Sequence, residues 1–152
     1  MSNLNHLMEV MAAEAELTEQ LIEVMKMQQQ ALVNLDHAEV EISVDKQQEL
    51  LLPIEALEQE RLRLTREVWC ELTPPPDAPE TSIHLTSLLH HLQRKDADRL
   101  SMLGSRLHSA VEVMMKVNQA NQYLIEHSRR FVRETLRIVT DGHSRQIVDH
   151  RI

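Results

Sequence analysis

The chain is nearly without aromatic side chains: one Trp, one Tyr and one Phe make up 2% of it, although hydrophobic residues make up 42%. Any core or interface must therefore be aliphatic, built from Leu, Val, Ile and Met. Turn residues are scarce too, with two glycines and five prolines. An antiparallel sheet needs more of them and more β-branched runs, so the expected fold class is all-α. The single cysteine, Cys70, excludes an intrachain disulfide, and beside Trp69 in a helical pattern it reads as a small buried hydrophobe. No apolar run approaches the length of a membrane span. The first residues, with Asn3, Asn5, His6 and Glu9, lack the charged-then-apolar order of a signal peptide, and a cytoplasmic location without membrane insertion is expected. Positive charge is missing from the first half, where residues 1–60 hold 13 acidic and 2 basic side chains. That balance argues against a nucleic-acid or anionic-membrane partner, which would need clustered cations.

What the chain has in quantity is helical periodicity, and at 152 residues it fits one domain able to bury a core. A first helix is expected over residues 3–35, capped by Ser2 or Asn3, with Leu4, Leu7, Met11, Leu21, Met25 and Leu32 on one side. The polar run Gln28, Gln29, Gln30 interrupts that side and predicts loose packing there. Asp36 followed by Glu39 forms a capping box that starts a second helix over 37–72. This helix carries Val40, Val44, Leu51, Ile54, Leu57, Leu64 and Val68 inward. Pro53 predicts a kink in it, with a true break as the alternative, because proline removes one backbone hydrogen bond and crowds the preceding turn. Residues 73–80 contain Pro74, Pro75, Pro76 and Pro79 and read as a connector. Thr81 or Ser82 would cap a short helix over 82–94. The last helix, expected over 97–140 behind an Asp96 cap, would be roughly 65 Å long. Gly104 weakens it or admits a neighbour, and Asp141 with Gly142 would stop it, leaving 141–152 as a polar tail. Rods of this length with short connections predict an elongated antiparallel bundle of three long helices plus one short one, with 1–140 as its single domain.

Candidate chemistry is thin. Of nine histidines, His84, His90 and His91 lie on the short helix but diverge around it, and no Glu-x-x-His pair supports a di-metal centre, so no metal site is expected. No glycine-rich phosphate loop is present, so no cofactor is expected either. His91 with Arg94 and Lys95 offers a faint histidine phosphotransfer motif, in which the cations would steady an arriving phosphoryl group. It lacks the glycine such a motif places after the cation. Arg129, Arg130, Arg133 and Arg137 form a basic cluster, with Glu126 and Glu134 in reach to neutralise it.

The most regular stretch is the last helix. Leu100, Leu103, Leu107, Ala110, Met114, Val117, Asn121, Leu124, Ser128, Phe131, Thr135 and Ile138 alternate steps of three and four, which keeps one seam facing partner helices. In its second half a further apolar ledge, Ile125, Val132, Leu136 and Val139, runs beside the seam. One partner helix does not need so much apolar surface. A third helix of the bundle could cover the ledge, or it could stay open for a ligand helix. Asn121, Ser128 and Thr135 recur at seven-residue spacing, either as register-setting polar groups inside the bundle or as the mark of an end that awaits a partner. This pattern gives Asn121, Leu124, Ile125, Ser128, Phe131, Val132, Thr135, Leu136 and Val139 as candidate partner-binding residues, and the family resemblance below adds Asn118.

Two segments carry a family resemblance. From Asp36 through Lys46, Leu51, Leu57 and Arg61, the second helix resembles the acidic start, central lysine and arginine-ended leucine pattern of the FlgN family of flagellar type III export chaperones. Val117, Asn118, Asn121, Leu124, Ile125, Ser128, Phe131 and Val132 resemble its paired-asparagine segment and the apolar helix after it. The resemblance implies a non-enzymatic cytoplasmic chaperone. Such proteins bind C-terminal segments of the hook-filament junction (hook-associated) proteins, keep them unassembled and deliver them to the export apparatus. The alternatives are a phosphotransfer bundle and a structural coiled-coil adaptor that self-associates through the last helix.

Overall fold

The computed structural model describes residues 2–73 and 84–149, with side chains through 142. Four helices follow in order: α1 (Ser2–Val33), α2 (His37–Leu72), the short α3 (Leu85–Leu89) and α4 (Arg94–Asp149). There is no strand among the described residues. The all-α class with three long helices and one short one is as the periodicity required. The connector prolines, the Thr81 and Ser82 caps and the last three residues of the tail lie outside the described residues.

α1 is the central rod. It packs against α2 on one side and α4 on the other, while the backbones of α2 and α4 do not approach each other closely. The ion pair Glu14–Arg61 and the hydrogen bond between Gln28 and Gln47 show α1 and α2 running antiparallel. Glu19–Arg106 and Gln28–Asn121 rise together along the chain, so α4 runs parallel to α1. Up, down, up is the order that short connections impose on three long helices.

The two ends of this array differ. At one, Leu4, Leu7, Met8 and Met11 of α1 meet Leu64 and Val68 of α2, Leu88 of α3 and Leu100 of α4 in a core with nearly no solvent exposure. Trp69 packs against it, with the His91 ring set edge-on 5.4 Å away. The ion pair of Glu14 with Arg61 (2.7 Å), of which Glu14 is buried, joins α1 to α2 one step further along. It assigns a structural task to the arginine that ends the leucine pattern.

At the other end the helices are tied by amides. Gln28 Oε1 accepts from Gln47 Nε2 at 2.9 Å and from Asn121 Nδ2 at 3.1 Å, and Asn121 Nδ2 also donates to the Met25 carbonyl at 2.8 Å. One polar layer thus links α1, α2 and α4. Loose packing is expected at the glutamine run; instead Gln28 is buried, its Oε1 accepting from partners on two other helices.

Several local expectations are corrected. The short helix expected over 82–94 is helical over Leu85–Leu89 and gives way to a turn from His90. Cys70 is exposed, since it falls just past the inward positions Val68 and Trp69 on the helix. Leu51 is also exposed, and α2 runs through Pro53 without a break; Glu49 and Pro53 both face solvent, where water can serve the carbonyl that proline leaves unbonded. α4 begins at Arg94, with Gln93 accepting the first helical bond from Ala97, so Asp96 lies in the first turn and favours the helix dipole instead of capping. At its far end α4 continues through Gly142, which keeps a negative φ; a glycine stops a helix only by turning left-handed. Gly104 has open space where a Cβ would stand, so no neighbour approaches it closely.

Candidate partner-binding site

The site begins where α1 ends. Leu35 takes a left-handed backbone with φ 57°, its amide bonds the Leu32 carbonyl and the Asp36 amide bonds the Ala31 carbonyl. This is the paired hydrogen-bond pattern that closes a helix, with leucine at the position usually held by glycine. The Asp36 carboxylate then accepts from the Glu39 amide at 3.2 Å and starts α2, which is half of the expected capping box; the Asp36 amide bonds the Ala31 carbonyl in place of the Glu39 side chain. The chain thus reverses within three residues.

α4 does not stop there. Because Asn121 lies level with Gln28, the end of α1 comes level with about Ser128, and α4 runs on for roughly 20 residues, or about 30 Å. Burial follows this geometry. Leu124, Ile125 and Ser128 are half-buried, and every residue over 129–142 is exposed. Phe131 (61%), Val132 (54%), Leu136 (61%) and Val139 (62%) expose more than half of their surface. No helix of the bundle covers this part of the ledge.

Between the overhang and the α1–α2 corner lies an open groove of about 780 Å³. Its α4 wall holds Ile125, Ser128, Phe131, Val132 and Leu136; its other wall holds Leu32 and Leu35 from the corner and Val40 and Val44 from α2. A smaller hollow of about 340 Å³ lies round the corner and shares Leu35, Ser128 and Phe131. Ile125, Val132 and Leu136 repeat at helical spacing over about 17 Å, three turns of helix.

The ten candidate residues fall in five different settings. Ile125, Ser128, Phe131, Val132 and Leu136 are brought together on the groove; Thr135 and Val139 continue the exposed stretch; Leu124 borders the smaller hollow. Asn118 is exposed on the covered half of α4, away from the groove lining. Asn121 is the correction: 1% exposed and bonded to Met25 and Gln28, it holds the bundle together and faces no partner. The sequence reading missed the opposite wall, Leu32, Leu35, Val40 and Val44, whose membership depends on where α1 stops. It also missed the state of the basic cluster: Arg129, Arg130, Arg133 and Arg137 make no ion pair with a described residue, and Arg129 and Arg133 reach the groove.

Among the described residues, no three His, Cys, Asp or Glu side chains gather as a metal site, and no helix is long and apolar enough to cross a membrane. The geometry supplies an open, mainly apolar trough edged by His37, Arg129 and Arg133. No curated protein and no solved structure matches the chain. The model of the FlgN protein family matches residues 1–148, nearly its whole length, and the chain belongs to this family of flagellar export chaperones.

Proposed function

We propose that this protein binds C-terminal segments of hook-associated proteins in the groove between the α4 overhang and the α1–α2 corner. It would hold these segments unassembled in the cytoplasm until the flagellar export apparatus receives them. The observation that carries the reading is the exposed stripe Phe131, Val132, Leu136 and Val139 on a helix that outruns its own bundle. A cargo segment that is disordered alone can fold there as an amphipathic helix, its apolar face covering the stripe. Burial of apolar surface on both sides offsets the cost of ordering the segment. The task is binding, with no bond made or broken.

Calorimetric titration with peptides from the C-termini of hook-associated proteins tests this. Binding at low micromolar concentration or tighter is expected, and no binding at tens of micromolar would count against it. If the protein instead self-associates through α4 and ignores the peptides, the adaptor reading replaces the chaperone.

A further inference from the structure

The groove differs in charge from the rest of the molecule. The chain carries a formal net charge of −8, yet among the described residues the titratable side chains lining the groove are His37, Arg129 and Arg133, with no carboxylate. Arg129 and Arg133 stand one turn apart on α4 and, by helical spacing, along one edge of the stripe formed by Ile125, Val132 and Leu136. The expected neutralisation by Glu126 and Glu134 does not occur: neither arginine pairs with a described carboxylate.

Two unpaired guanidinium groups beside an apolar trough favour one kind of occupant. A neutral helix would fill the trough and leave both cations merely solvated. A basic helix would set like charges against them. A helix with carboxylates on one edge of its own apolar face gives each arginine a partner, in the planar two-point geometry that guanidinium and carboxylate share. We propose that the segment held in this groove is an amphipathic helix bearing two acidic side chains about one turn apart, placed to pair with Arg129 and Arg133. The proposal rests on the chaperone reading and adds to it the charge pattern of the cargo. Two charge pairs on one edge also fix the direction in which the cargo helix lies. The acidic surface of residues 1–60 disfavours the same segment there, so the groove gains selectivity over that part of the protein.

A double-mutant cycle separates this proposal from the reading beneath it. Affinities are measured for the wild-type protein, the Arg129→Gln/Arg133→Gln variant and Leu136→Asp, against C-terminal peptides of hook-associated proteins and counterparts with each Asp and Glu replaced by its amide. The arginine variant should bind the natural peptide about three- to tenfold more weakly, the range for two exposed charge pairs. The amide peptide should show a similar loss on the wild-type protein and no further loss on the arginine variant. Additive losses, or an arginine variant that binds as tightly as wild type, overturn the proposal; if Leu136→Asp still abolishes binding in that case, the chaperone reading survives it. A wild-type protein that binds neither peptide overturns both.

Discussion

Leu136→Asp places a charge in the centre of the proposed binding surface at a position the bundle does not use. Full burial of a leucine is worth about 1.5–3 kcal/mol, and Leu136 retains 61% of its exposure in the free protein. About 1–2 kcal/mol therefore remains to be gained when cargo covers it. Aspartate forfeits that gain and adds the desolvation of a carboxylate against an apolar helix, about another 1–2 kcal/mol. The sum of about 3 kcal/mol corresponds to an affinity loss on the order of 100-fold in a titration with a hook-associated C-terminal peptide. Stability should hardly respond, because the replacement costs only about 0.5 kcal/mol of helix propensity, or about 1–2 °C in melting temperature. Leu7→Ala is the contrast: Leu7 has 0% exposure in the closed end, and truncation there should cost about 2–5 kcal/mol and on the order of 10 °C. A fall in the melting temperature of Leu136→Asp comparable to that of Leu7→Ala would show the ledge to be core. Unchanged peptide affinity in a folded Leu136→Asp protein would refute the groove as the binding site.

Other perturbations probe the parts that shape the groove. Leu35→Gly relieves a left-handed leucine, a strain of about 1–2 kcal/mol that the greater freedom of glycine in the unfolded chain partly cancels; denaturant melts should show equal or slightly raised stability, while peptide affinity falls because one groove wall loses its side chain. Asn121→Ala removes the donor to Met25 and Gln28 and should lower stability by about 1–2 kcal/mol in a denaturant titration; a change within about 0.3 kcal/mol would contradict the role given to the polar layer. The Arg106 guanidinium holds the Glu19 carboxyl below the usual carboxylate range through a hydrogen bond. The α1–α4 bridge is therefore fully stabilising above pH 4.5, the ordinary value, and is lost as pH falls through the depressed one. Both partners are nearly half exposed, so the stability gap between wild type and Glu19→Gln should be about 0.5 kcal/mol or less at pH 7 and should close towards pH 3; a gap that persists at pH 3 would exclude the carboxylate as its source.

The sequence carried what is local and hid what depends on two helices at once. The step-three-and-four seam of α4, the absence of sheet signals and the Asp36 cap were all legible, because each rests on residues within a few turns of one another. The end of α1 was not, since closure by a left-handed leucine uses no turn-forming residue. Gln28 looked like a defect in an apolar face until Gln47 and Asn121, far away in the chain, arrived beside it. The same dependence left the ledge ambiguous. Val132 and Leu136 repeat like core residues, and their exposure follows only from the position along α4 at which α1 runs out.

That position is set by the polar layer, and it links the fold to the proposed function. The seam of α4 presents Asn121, Ser128 and Thr135 at equal spacing, so each could stand level with Gln28 in one of three registers. A slip of one repeat would draw α4 back by about 10 Å and place Ser128 at the layer, bringing Phe131 and Val132 alongside α1. Asparagine decides between the registers because its amide nitrogen has two hydrogens and finds two buried acceptors, the Met25 carbonyl and Gln28 Oε1, whereas a hydroxyl has one hydrogen to give. In the slipped register one of those two hydrogen bonds would be lost, although Gln28 Oε1 would keep Gln47 and the Met25 carbonyl its helical bond. A buried amide in an otherwise aliphatic seam thus favours the register in which the last turns of α4 outrun the bundle, and the apolar stripe there stays exposed.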